Sequence, residues 1–352
     1  MKDLSIIIPF VGEYPQILFT IRSVAEEFIG TDIDFEIIAV NNYCKEVETQ
    51  AFNSLIRTKD MLSKVIFREG RELMITDMIK AHKEIMCTYE DKSGTAIAAA
   101  VKGNNWLKYF EYTGRLSHWQ AKRMGVEESS GRILLFLDAH VLSSKGSLVN
   151  MYEDYCTSQN FDGDYYCEIG TFHLPLTYKI LEYHRLIYKI VVDNDVFYSY
   201  SFTPYRENVM PYEVPCMSTC GMMINRDIYR VIGGWPEGLG IYGGGENFMN
   251  YTLAVCGYKK FIYPFGALYH HGEKRDYHYV YDDLIKNRMI AHYLFGGEDL
   301  LKRLAKTMKG NPQRLEQLAR EAVDESKIQR GLIKSYQKTT IEEWARQWLY
   351  DK

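Results

Sequence analysis

The stretch GRILLFLDAHV, residues 131–141, ends an apolar run on two polar side chains, Asp138 and His140. Alternate residues of an extended chain share a face, so the spacing predicts that both project past the edge of a buried strand while Ala139 stays clear. A carboxylate and an imidazole so placed can hold a divalent ion. The ordinary reading stands beside it: Asp is a common turn former at strand ends, and a single His is more often a packed or surface group than a ligand. A second chemically suggestive segment is GGGEN, residues 243–247. Its glycines allow close approach of backbone to a ligand, and the start of the helix that follows favours an anion. Glu246 there is either an active-site acid or a helix-start residue with only a dipole role.

The elements that position these residues read as α/β. SIIIPF (5–10) is a short buried strand, YPQILFTIRSVAEEF (14–28) carries apolar groups at helical spacing, and DFEIIAVNNY (34–43) is a second buried strand ending in Asn41 and Asn42. Together they predict a βαβ unit, a parallel sheet and a ligand beyond the strand C-termini. HWQAKRMGVEESSG predicts a helix that feeds directly into ILLFLDAH. GMMINRDIYRVIGG reads as a strand, a turn and a short helix, and NFMNYTLAVCG as a helix. Residues 53–115 are less regular and are expected to be partly an insertion, with strands at KVIFREG and TAIAAAVKG and a helix at LMITDMIKAHKEIM. From Asp282 the chain reads as helical, broken at Gly296–Gly297 and at Gly310–Asn311–Pro312. The expected organisation is one domain over residues 1–280 and a helical region over 281–352.

Composition narrows the classes. The 352 residues are 46% hydrophobic and 25% charged, enough to bury a substantial core. No apolar run reaches membrane-spanning length, and MKDLSIIIPF breaks at Pro9 rather than forming a signal peptide, so a cytoplasmic protein is expected. Seven cysteines without regular spacing argue against a disulfide framework or a zinc knuckle. The net charge of −4 gives no global nucleic-acid signature. Residues 299–352 carry twelve Lys or Arg against eight Asp or Glu, with Trp344 and Trp348 four apart. Such a tail either contacts a polyanion or packs onto the core with both Trp residues buried.

SIIIPF, VNNY, AKRMGVEESSGRILLFLDAH, GGGEN and YPFGALYHH occur in an order that resembles the nucleotide-sugar glycosyltransferases of the GT-A fold, in the broad family 2 group. The second half is most similar to the polypeptide N-acetylgalactosaminyltransferases. The resemblance covers about residues 1–45 and 115–275. It implies a Rossmann-like mixed sheet flanked by helices, with a C-terminal helical extension here.

It implies an Asp-x-His metal motif at Asp138 and His140, completed by a His six residues after a Pro, here His270 after Pro264, with His271 its neighbour. Two imidazoles and a carboxylate suit manganese or another transition ion better than magnesium. By the resemblance a UDP-sugar lies against Pro9, Phe10 and Asn41 or Asn42, although many relatives carry Asp where these Asn residues stand. Arg115, or else Arg123, is the basic residue near the donor. Lys274 and Arg275 either add positive charge at the diphosphate or are ordinary loop cations, and Trp235 either shapes the sugar pocket or belongs to the core. Glu246 and Asn247 are the catalytic candidates. The Asp-x-His form and the His270 spacing tilt the expectation towards retention.

The expected activity is transfer of a sugar from a nucleotide diphosphate to an acceptor hydroxyl on a glycan, a protein or a hydroxylated base in DNA. A sugar nucleotidyltransferase would show a Gly-rich basic loop after the first strand, and PFVGEYPQ has one Gly and no Lys or Arg. A binding module with an inactive transferase core is the remaining class; it sits poorly with Asp138, His140, Glu246 and His270 all present. Neither a membrane anchor nor a lectin domain is visible in the sequence.

Overall fold

The computed structural model describes residues 1–11, 13, 16–42, 106–143, 145–158, 165–168, 171–174, 187–203, 210–263, 265, 268–271 and 279–349. In chain order the first part runs β1 (Leu4–Phe10), α1 (Gln16–Phe28), β2 (Phe35–Asn42), β3 (Leu107–Tyr112), α2 (His118–Glu127), β4 (Ile133–Phe136), β5 (Val141–Ser143) and α3 (Ser147–Ser158). The middle comprises β6 (Tyr165–Glu168), β7 (Thr171–Leu174), β8 (Ile187–Asp193), β9 (Val196–Thr203), β10 (Tyr212–Glu213), β11 (Met222–Asn225), α4 (Arg226–Val231) and α5 (Gly245–Val255). It closes with β12 (Lys260–Tyr263), β13 (Leu268–His271), α6 (Tyr281–Thr307), α7 (Pro312–Tyr336) and α8 (Ile341–Leu349).

The expected βαβ unit is present. β1 and β2 are buried along their length and pair in parallel, with Phe10 opposite Asn41. Strands buried on both faces read as continuous apolar runs, which is why SIIIPF and FEIIAV were legible. β4 pairs in parallel with β1 and β3 with β2, so β4, β1, β2 and β3 all end at one edge of the sheet. β11 turns antiparallel beside β4 and completes a mixed sheet of order β10-β12-β6-β11-β4-β1-β2-β3. A smaller sheet, β5-β13-β7, carries the chain that follows β4. Residues 107–112 form a strand of the main sheet, while KVIFREG, LMITDMIKAHKEIM and TAIAAAVKG lie outside the described residues.

The C-terminal region is helical as expected. Gly297, at φ +78° and ψ −167°, is non-helical and divides α6 into two helical stretches at the expected break, and Asn311 caps α7 by accepting from the backbone N–H groups of Gln313 (2.9 Å) and Arg314 (3.2 Å). On α8, Trp344 stands edge-on to Tyr251 with ring centroids 6.0 Å apart, and the Lys260 ammonium sits 4.5 Å from its ring centre. The packing alternative for the tail is thus the one observed for Trp344. Cys156, Cys216, Cys220 and Cys256 are free thiols. Among the described residues no helix is long and apolar enough to cross a membrane.

At the other end of the sheet a buried carboxylate ties four segments together. Glu36 accepts from Ser5 Oγ (2.7 Å), Ser130 N (2.5 Å) and Ser130 Oγ (3.1 Å), and pairs with Lys108 Nζ at 2.6 Å. Burial alone would raise its pKa. Lys108 and the Ser130 and Ser5 donors outweigh burial and hold the carboxyl below its ordinary value of 4.5. The stabilisation it supplies is present above that value and is lost as pH falls through the lower folded one. Glu36→Ala should cost about 1–3 kcal/mol, because it removes the shared acceptor of the buried Ser5 hydroxyl, the Ser130 donors and the half-exposed Lys108 at once; a loss under about 0.5 kcal/mol in urea denaturation would contradict this role.

Candidate active site

β4 ends at Phe136, and the chain from Leu137 to His140 has left the strand, its last two residues forming a turn. Asp138 and His140 are therefore not alternate residues on one strand face, as the spacing predicted, and it is the turn that presents them. One stripe of α1 holds this segment. Thr20 Oγ1 donates to the Ala139 carbonyl (2.8 Å) and accepts from Val141 N (3.0 Å). Ser23 Oγ accepts from Ser143 N (2.9 Å), and the Glu27 carboxylate accepts from Gly146 N (3.1 Å) and Leu148 N (3.3 Å). Positions 20, 23 and 27 fall on one helical face. All three are buried, so the face of α1 turned to this segment is polar because it replaces missing sheet partners.

Asp138 meets a cation that the sequence reading did not single out. Lys122 on α2 has its ammonium 3.5 Å from Asp138 Oδ1, and the side chain is 1% exposed. Its ammonium also lies 5.2 Å from the Trp119 ring centre and 5.9 Å from that of Trp235, within cation–π range. Glu246 opens α5, where its carboxylate accepts from Thr219 Oγ1 at 3.3 Å. Dense protein around Glu246 pushes its carboxyl above the ordinary range. Its own backbone N–H, Lys122 and Thr219 pull it back, and Asp138 pushes it further up. Residual solvent contact moderates the effect. Asp138, Lys122 and Glu246, from three separate elements, thus share one electrostatic field.

The glycines before Glu246 serve packing. Gly244 has φ +78°, and a Cβ there would lie 2.4 Å from the Asn287 carbonyl oxygen; a Cβ on Gly245 would lie 2.3 Å from the Trp119 ring. The close approach expected for a ligand is made by protein instead. The loop leading to them is anchored by Ser117 Oγ donating to the Leu239 carbonyl (2.8 Å), Gln120 Nε2 to that of Pro236 (2.6 Å), and Asn287, which accepts from Gly240 N and donates to the Tyr242 carbonyl, both at 2.7 Å. Arg115 donates to the Gly238 carbonyl in this same loop. Arg123 pairs with Glu127 (2.9 Å) and Glu237 (2.7 Å). Trp235 is fully buried, its ring 4.7 Å from that of Trp119, and is a core residue. Asn247 is buried next to Glu246.

Pro9, Phe10, Asn41 and Asn42 gather at the same sheet edge, where β1 and β2 end. Asn41 Nδ2 donates to the Tyr109 hydroxyl at 3.2 Å. Neither amide atom of the buried Asn42 has a hydrogen-bond partner among the described residues. His140 Nδ1 lies 2.6 Å from Glu13 Oε1. β13 runs antiparallel to β5 with His270 opposite Val141, which brings the backbone of the expected third ligand beside His140. Lys274 and Arg275 lie outside the described residues. Among the described residues no three His, Cys, Asp or Glu side chains are grouped to hold a metal; Asp138 and His140 supply two donors of suitable chemistry, and His270 is described by its backbone alone.

A mixed sheet with four parallel strands, an antiparallel neighbour beside the central strand and a small second sheet carrying the chain past an acidic turn is the GT-A fold. The chain is similar over its whole length to the crystal structure of GalNAc-T7 with UDP, GalNAc and Mn2+, at a TM-score of 0.61 and 14% identity. It spans 57% of that chain. S. aureus TarS 1–349 in complex with UDP-GlcNAc matches 92% of this chain and 72% of its own, at a TM-score of 0.44 and 9% identity. No family model and no curated protein matches the sequence.

Lys122→Met keeps the apolar stem against Trp119 and removes the charge. The expected outcome is a folded protein in which the Glu246 carboxyl titrates at a still higher pH, read by carboxyl-detected NMR. An unmoved midpoint would mean that the two groups share no field.

Proposed function

We propose that the chain is a metal-dependent glycosyltransferase that moves a hexosyl or N-acetylhexosaminyl group from a UDP-sugar to an acceptor hydroxyl. The observation that carries this reading is the meeting of Asp138 and Glu246 around a buried Lys122, beyond the C-terminal ends of parallel strands, where open α/β sheets bind ligands. The UDP and Mn2+ of the GalNAc-T7 structure support the choice of donor and ion.

Asp138, His140 and His270 would hold the ion, and their mixed nitrogen and oxygen donors suit manganese. Bound there, the ion supplies neutralisation of the diphosphate leaving group. Pro9, Phe10 and Asn41 receive the base and ribose, and the amide of Asn42, without a partner among the described residues, offers a donor and an acceptor to the same edge. Lys122 pairs with Asp138 and lies against an otherwise apolar wall of Trp119 and Trp235. Lys274 and Arg275 add positive charge at the diphosphate. Retention is favoured, with Glu246 and Asn247 orienting sugar and acceptor; in the inverting alternative Glu246 takes the acceptor proton. A glycan or protein hydroxyl is the favoured acceptor, because Trp344 of the basic tail is occupied by core packing.

Release of UDP from a panel of UDP-sugars with Mn2+ tests the reading. Turnover of one donor is expected, stopped by a chelator and reduced at least about a hundredfold in Asp138→Ala and Glu246→Gln. Turnover unaffected by chelation, equal activity in Asp138→Ala, or no turnover of any donor would overturn it.

A further inference from the structure

We propose that Glu13 is a positioning residue that fixes the tautomer and orientation of His140, presenting the imidazole Nε2 to a divalent cation. The inference rests on the glycosyltransferase reading, which supplies the cation. Glu13 Oε1 lies 2.6 Å from His140 Nδ1, and Glu13 Oε2 accepts from Val11 N at 3.2 Å, so the carboxylate is itself held in place by the loop that follows β1. The two side chains are only 21% and 29% exposed. From the other side, Thr20 fixes the backbone of Ala139 and Val141 on either flank of His140.

A neutral imidazole carries one proton. A carboxylate that can only accept, placed at Nδ1, draws that proton to Nδ1 and leaves the lone pair on Nε2, the form a metal ligand requires. Histidines that bind metals almost always donate their other ring N–H to a carboxylate, a carbonyl or water. Glu13 also joins two parts of the site. It lies in the loop just past Phe10, so the strand end assigned to the nucleotide and the turn assigned to the ion are linked through one hydrogen bond. The competing account is a plain ion pair with an imidazolium, which at this exposure stabilises little and would leave metal affinity unchanged.

Mn2+ binding to the full chain, followed by electron paramagnetic resonance of the free ion, separates the two. Binding by the native protein is expected, with affinity about 10- to 100-fold lower in Glu13→Ala. Glu13→Gln, which keeps an acceptor oxygen, should recover part of that loss. Nitrogen-15 NMR of His140 should show the Nδ1-protonated tautomer in the native protein and a shift towards Nε2 protonation in Glu13→Ala, a readout that a purely structural role would not move. Equal Mn2+ affinity in the native protein and Glu13→Ala, or an Nε2-protonated or doubly protonated His140 in the native protein, would overturn the role of Glu13 alone. Absence of Mn2+ binding by the native protein, with or without UDP, would overturn it together with the glycosyltransferase reading.

Discussion

An ammonium group buried in a protein costs several kcal/mol unless opposite charge and hydrogen-bonding partners surround it. Lys122 is such a group, and much of the site's geometry follows from satisfying it. Its stem lies on the α2 face that also carries Trp119 and Val126, which sets the ammonium between an aromatic floor and the carboxylate of Asp138. Asp138 can reach it only because β4 stops at Phe136 and the chain turns. Glu246 enters the same field only because Gly244 and Gly245 let the start of α5 close onto Asn287 and Trp119. A side chain on either glycine would clash, with Asn287 at Gly244 or with Trp119 at Gly245, and the start of α5 would have to shift.

The sheet gives this cluster its direction. Four parallel strands place every strand terminus of interest, Phe10, Asn41, Asn42 and the turn after Phe136, at one edge. Glu36 with Lys108, Ser5 and Ser130 locks the opposite edge. The polar stripe Thr20, Ser23 and Glu27 then substitutes for a strand partner over residues 139–148. Stability is concentrated at one end of the sheet and chemistry at the other, with α1 connecting them.

The parallel strands, the helices between them and the chemical interest of Asp138, His140 and Glu246 were legible because they rest on local patterns: continuous apolar runs, helical spacing, and polar residues where such runs stop. What was missed depends on partners far away in the chain. An alternating pattern does not show where a strand ends, so the turn after Phe136 was read as more strand. Glycine signals free space but not its occupant, and at Gly244 and Gly245 the occupants, Asn287 and Trp119, come from α6 and α2. The resemblance pointed to Arg115 or Arg123 as the basic residue near the donor and gave no sign of Lys122. The helical period carried one, since Lys122 is three residues from Trp119 and four from Val126 on the buried face, whereas Arg123 points to Glu127 and Glu237. Glu13 carried no pattern at all.

The proposed function requires a metal and diphosphate site at the turn of Asp138 and His140. The most direct measurement is anomalous diffraction at the manganese edge from crystals grown with Mn2+ and UDP. A single strong peak within coordination distance of Asp138 and His140, bridged to the diphosphate, is the expected result. UDP bound at another edge of the sheet, or a turn that stays empty of manganese while UDP is bound, would contradict it.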